Sequence, residues 1–139
     1  MAIKKATFKH IESELYSYQE TKKEIQHLRE SIINFTGAED QNDTKGKNSV
    51  RTINRPTEQI ATRLVQDKQL RNAEEIVDAI DTVYDRCSED HKRLIQIKYW
   101  GRESYNWDQL SLKLNTHRNT LMKHRKEVVE AIAKHIGWR

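Results

Sequence analysis

An almost wholly α-helical fold is what this sequence predicts, on three observations. Only four glycines and one proline interrupt 139 residues, too few for a turn-rich β architecture. Long stretches consist of Glu, Lys, Gln, Leu and Ala, residues that lose little side-chain freedom in a helix. Apolar residues recur three and four positions apart, the period of a helix with one buried stripe. The mean hydropathy is -0.96 and 35 % of residues are apolar, so a core must come from that placement and not from abundance. A chain of this length supports one modest domain with a helical extension.

The first element is a long amphipathic helix from about Thr7 to Phe35. Phe8, Ile11, Leu15, Tyr18, Ile25, Leu28, Ile32 and Phe35 form a stripe close to a heptad seam. Lys22 falls where the seam skips a position, which limits any coiled coil to a short antiparallel contact. Two readings stay open for this helix, packing on its own chain or dimerisation and partner contact. Residues 1–36 are assigned to it. Residues 37–56 read as a flexible linker, with Gly, Asn, Asp, Ser and Thr, the single proline and few apolar anchors. Lys45, Lys47, Arg51 and Arg55 in this linker read as solvated, although arms of this kind can touch phosphate.

Residues 57–139 form the helical C-terminal domain. Its first helix follows Pro56, with Ile60, Leu64, Leu70, Ala73, Val77, Ile80, Tyr84 and Cys87 at helical spacing. Glu74, Glu75, Asp78, Asp81 and Asp85 make an acidic flank, a solvated face or a docking surface for a basic partner. Ser88 is a suitable N-cap, with Glu89 and Asp90 in the first turn where the helix dipole favours anions. Leu94, Ile95, Ile97, Tyr99 and Trp100 give the next helix its apolar body, and Gly101 stops it. Asn106 followed by Gln109 matches a cap with its reciprocal partner. Trp107, Leu110 and Leu114 make a short stripe, with small Ser111 where another helix can come close. Asn115 tolerates the left-handed conformation that ends a helix, and Thr116 can cap the next one. Leu121, Val128, Ile132 and Ile136 then supply the last stripe. Trp100, Tyr105 and Trp107 are expected to form a small core between the last three helices, closed by Trp138.

Residues 106–134 therefore predict a helix-turn-helix, whose second helix exposes Arg118, Asn119, Met122, Lys123 and Lys126, with His117 and Arg125 beside them. No acidic residue lies between Arg118 and Lys126, and residues 88–139 carry 11 basic against 6 acidic side chains. Arg grips guanine and Asn grips adenine through two hydrogen bonds each, whereas Lys suits phosphate. Cations that repel one another are tolerated on one face when a polyanion lies against them, because phosphate contact and counterion release offset the repulsion. The plainer reading is a basic surface helix in a bundle.

The stretch "LIQIKYWGRESYNWDQLSLKLNTHRNTLMKHRKEVVEAIAKHIGW" resembles the C-terminal part of the RinA and ArpU type phage transcriptional regulators. The helix-turn-helix of that family is similar to the fourth region of bacterial sigma factors. The resemblance covers about residues 76 to 138, with "KYW", "WDQL" and "IGW" most telling. It implies an activator of phage late genes, packaging or structural operons, that binds promoter DNA in the bacterial cytoplasm, at the nucleoid. Host RNA polymerase and a second copy of the chain are the further partners it implies. It makes Arg118, Asn119, Met122, Lys123 and Lys126 the recognition face. Thr116 and Arg125 depart from sigma-like motifs, which place aliphatic residues there.

Two rival readings stand beside this one. The first is a small-terminase-like subunit that recognises DNA for packaging; the second is a protein-interaction module without a DNA role. Catalysis is not expected, since no phosphate-binding glycine loop, dinucleotide fingerprint or nucleophile elbow occurs. No metal or other cofactor is expected either. The six histidines include no His-x3-His pair, His117 and His124 lie seven apart, and the lone Cys87 makes neither a disulfide nor a zinc knuckle. No apolar run approaches the roughly 18 residues of a membrane span, and the start "MAIKKATFKH" lacks the apolar segment of a secretory signal, so a cytoplasmic protein is expected.

Overall fold

The computed structural model describes residues 3–42 and 56–139, with side chains placed for 3–33 and 58–139. These residues form six α-helices and no strand: α1 (Lys5–Tyr16), α2 (Tyr18–Asn42), α3 (Pro56–Arg86), α4 (Glu89–Leu94), α5 (Trp107–Leu114) and α6 (Arg118–Ile136). A single π-helical turn, Ile95–Tyr99, continues α4. Residues 37–42 of the expected linker continue α2. Residues 43–55, with Lys45, Lys47, Arg51 and Arg55, lie outside the described residues, and Pro56 opens α3.

The long N-terminal helix of the sequence reading is two helices. Ser17 separates them at φ -89° and ψ 3°, although its N–H still donates to the Ser13 carbonyl at 3.0 Å. One residue that leaves helical ψ bends the chain without breaking the three- and four-residue spacing of Leu15 and Tyr18, so the period carries no trace of it. Past the break Ile25 and Leu28 stay buried as expected, and between Tyr18 and Ile25 the buried residue is Thr21, with Lys22 exposed.

The chain forms two compact units, Met1–Glu20 with Glu75–Arg139, and Thr21–Glu74. In the first, Ile11, Leu15 and Tyr18 pack with Ala79 and Ile80 of α3, Ile95 and Tyr99 of the π turn, and Val128, Val129, Ile132 and Ala133 of α6. A second cluster joins Leu94, Leu110, Leu114 and Leu121. The segment 94–99 serves both: Leu94 and Ile97 face the second cluster while Ile95 and Tyr99 face the first. Full burial of each such aliphatic side chain contributes about 1.5–3 kcal/mol before entropy is charged against it.

The aromatic residues do not make the one small core expected of them. Trp100 stacks on Tyr18 at 4.6 Å and tilts against Tyr84 at 4.9 Å, on the first cluster. Tyr105 and Trp107 cover the second cluster. Trp138 belongs to the first, stacked on His10 at 4.7 Å. Trp100 and Trp107, seven residues apart in sequence, are thus divided by the turn between the π segment and α5.

The acidic flank of α3 is not a bare solvated face. Asp81 accepts a hydrogen bond from the Tyr18 hydroxyl, and Asp78 lies 3.8 Å from His135. In the second unit, Arg29 meets Glu74 at 3.2 Å and Gln66 donates to Ser31 at 3.3 Å. As the α2 number rises its α3 partner falls, so the two helices run antiparallel there, around buried Ile25, Leu28 and Ala73. Ile60 and Leu64, counted in the buried stripe from their spacing, stand exposed together with Ile33 and Val65.

Gly101 stops the π segment for a steric reason. A Cβ at this position would sit 2.7 Å from the Ile97 carbonyl oxygen, a backbone atom that cannot move aside alone. Gly101→Ala is expected to destabilise the protein by about 1–3 kcal/mol, the usual cost of forcing one methyl into a filled space. The shift of the urea unfolding midpoint measures it, and an unchanged midpoint would contradict the steric argument.

Candidate nucleic-acid interface

The α5–α6 pair is built from local rules. Asn106 Oδ1 accepts from the Gln109 N–H at 2.8 Å, and Gln109 Oε1 accepts from the Asn106 N–H at 2.9 Å, so the start of α5 is capped reciprocally. Leu110 and Leu114 face inward, and Asn115 ends the helix in the left-handed region at φ 51° and ψ 46°. Ser111 then locks the corner. Its carbonyl accepts from the Thr116 N–H at 3.1 Å, and its hydroxyl donates to the Thr116 carbonyl at 2.7 Å.

Thr116 is not the cap of α6. Its hydroxyl turns back to donate to the Leu114 carbonyl at 3.1 Å, satisfying an acceptor at the end of α5. His117 is the cap, its Nδ1 accepting from the Asn119 N–H at 3.1 Å. His117 therefore serves the backbone at the head of the helix that bears the cationic face.

The rotation of α6 sorts its side chains. With about 100° per residue, Leu121, Val128, Val129, Ile132 and Ala133 define the inner face, Lys123 lies nearly opposite it, and Asn119 and Lys126 fall about 40° and 60° from Lys123, with Lys126 at the border of the inner face. All three are exposed. Arg118 is also exposed, and its guanidinium stands 3.9 Å from the freely exposed Asp108. Lys126 stands 4.0 Å from Glu130. Pairs this open contribute little and are readily exchanged for another anion. The first turn of α6 holds no acidic residue, so the partial positive charge of the helix end adds to that of Arg118.

Met122 and Arg125 belong elsewhere. Met122 is half-buried and lines a surface groove with Ile3, Phe8, Arg125 and Lys126, so Lys126 borders both this groove and the exposed face. Arg125 lies only about 40° round from Leu121, on the inner side. Its guanidinium makes a two-pronged bond to Glu12 of α1, at 2.8 and 2.7 Å, and sits over the Phe8 ring at 4.8 Å and the Trp107 ring at 5.5 Å. Tyr99 adds a third hydrogen bond to Glu12 at 2.7 Å. Arg125 is thus engaged by its own chain, and Glu12 and Tyr99 are the residues that sequence spacing could not associate with it.

The electrostatics of this triad are strong. Burial on its own pushes the Glu12 carboxyl up, but hydrogen bonds from Arg125 and Tyr99 with the Arg125 charge outweigh it and hold it below the ordinary range. Burial first, and then the bond to Glu12, pushes the Tyr99 hydroxyl far up, so it remains a donor.

The fold and this corner define an all-helical protein whose terminal helix pair carries a capped turn and an outward cationic face. Residues 7–134 match the family described as "Protein of unknown function (DUF722)", and the chain belongs to that family. No curated protein and no solved structure matched it. No helix among the described residues is long and apolar enough to cross a membrane.

Glu12→Gln is expected to cost about 1.5–3 kcal/mol at neutral pH, the range for hydrogen bonds to charged groups. Because the native carboxyl titrates below its ordinary value of 4.5, its stabilisation is complete above that value and fades as pH falls through the depressed native one. Urea unfolding of both proteins from pH 7 down to acid should show the gap between them closing. A gap that stays constant would mean that ionised Glu12 does not hold Arg125.

Proposed function

We propose that this protein is a sequence-specific regulator of transcription that binds double-stranded promoter DNA, and that it activates phage late genes such as a packaging or structural operon. The observation that carries the reading is the outward placement of Asn119, Lys123 and Lys126 on a helix whose entry is set by a tight, hydrogen-bonded corner. A helix presented in this way enters a major groove by its N-terminal end. Asn119 and Arg118 are then the base readers, Lys123 and Lys126 the phosphate contacts, and the helix end adds its own attraction for phosphate. His117 acts by ordering the first turn, and Arg125 by fixing the rotation of α6. The resemblance to RinA and ArpU type regulators supports the same assignment and adds host RNA polymerase as a partner. A homodimer through the second unit, where Ile33, Ile60, Leu64 and Val65 are exposed, completes the proposal.

The test begins with selection of bound duplexes from random DNA, followed by affinity measurements on the selected site. Arg118→Ala should weaken binding by roughly 1–3 kcal/mol and change the preferred base. Lys123→Ala should weaken all sequences alike and lower the slope of log affinity against log salt by about 1. Asp108→Asn, which removes the local competitor for Arg118, should leave affinity equal or higher. Isotherms that neither Arg118→Ala nor Lys123→Ala disturbs would remove α6 as the reading helix.

A further inference from the structure

Beside the cationic face, α4 and α6 bring together three metal-binding side chains that lie far apart in sequence. His91 is in the first turn of α4, while His124 and Glu127 are one helical turn apart on α6. The two imidazole rings are 4.4 Å apart, and His91 Nε2 is 3.8 Å from Glu127 Oε1. One donor atom from each of the three residues lies within 4.8 Å of the other two. We propose that His91, His124 and Glu127 form a binding site for a divalent transition-metal ion, with zinc the best match, that clips the start of α4 to the middle of α6.

Four observations support the site. Two imidazoles with one carboxylate are a donor set for zinc and its neighbours in the first transition row, not for calcium or magnesium, which take oxygen. The dimensions are right: a tetrahedral ion with bonds of about 2.0–2.1 Å sets its donors about 3.4 Å apart. The half-exposed Glu127 and small ring rotations supply the contraction that the present spacing requires. His91 is also oriented from behind. The Ser88 hydroxyl, already the cap of α4, meets its Nδ1 and leaves Nε2 facing Glu127, the outer-shell arrangement that ligating histidines use. Finally, His124 Nδ1 is buried without a hydrogen-bond partner, a cost that the protein's own side chains leave unrelieved.

A plain ion pair between a protonated His91 and Glu127 fits less well. A second imidazole lies tilted against it at 4.4 Å, where two protonated rings would repel, and the pair leaves the buried His124 Nδ1 without a partner. A neutral ring keeps the lone pair that a metal needs. The ion would hold three donors and keep water in the fourth position. Its effect would be mechanical, because His124 lies on α6 between Lys123 and Arg125. The inference does not depend on DNA binding.

The full-length protein, prepared without a histidine tag and stripped of metal, is titrated with zinc chloride by calorimetry at neutral pH. One ion per chain is expected, with a Kd of about 1 μM or tighter. His91→Phe and His124→Phe, which keep ring bulk, should each weaken binding at least tenfold, as should Glu127→Gln. His27→Ala, in the second unit, should change nothing. Imidazole nitrogen resonances of the unmodified protein provide a readout that needs no variant, and zinc should move the His91 and His124 signals while leaving His10 and His27 in place. No uptake at about 0.1 mM zinc, or uptake that moves other histidines instead, overturns the assignment.

Discussion

The first unit depends on one half-buried charge, the guanidinium of Arg125. An arginine on the inner side of a helix is costly unless every hydrogen-bonding direction that loses water gains a partner. Glu12 meets it with both oxygens, Phe8 and Trp107 offer ring faces, and Tyr99 satisfies the remaining side of the carboxylate. Three elements that the chain visits at widely separated points, α1, the π turn and α6, are thereby joined at one place. Such a network adds less net stability than its number of bonds suggests. Its larger effect is on geometry, since only one rotation and one height of α6 satisfy it.

That constraint links the core to the surface. α6 is held at its start by Leu121 in the second cluster, and further along by Val128, Val129 and Ile132 in the first. Arg125 lies between these anchors, so the rotation that buries it also sends Lys123 and Lys126 outward. The corner before α6 agrees with this setting independently, through the Ser111 bonds and the left-handed Asn115. Side chains with the same charge, a few residues apart, therefore do opposite work: one is a half-buried tie and the others form a solvent-facing field.

Much of the architecture was legible because its causes are local. Ser88, the Asn106 and Gln109 pair, and Asn115 act on backbone groups within three or four residues, and each behaves as its type dictates. The break at Ser17 was hidden because a one-residue bend preserves the apolar period on both sides. The exposure of Ile60 and Leu64 was hidden for a related reason, as period reports which residues share a face and not whether anything covers that face. Thr116 and His117 are both able to cap, and the choice between them follows from where the Ser111 and Leu114 carbonyls stand. The inner position of Arg125 could be read from its angle to Leu121, but its partner lies 113 residues away. His91 and His124 escaped for the same reason, since spacing rules look for ligands on one helix and these come from two.

The π turn at Ile95–Tyr99 adds one residue to what an α ladder would hold. Removing a single residue between Ile95 and Tyr99 would return the segment to ordinary helix and set these two three positions apart instead of four, changing their relative angle and height. Both would still face the same general side, but the phenol would be displaced from its line to Glu12. A length change that most helices absorb at a frayed end would here be transmitted to the opposite terminus of the polypeptide, so gaps should be rarer across this pentad than substitutions among relatives of the chain.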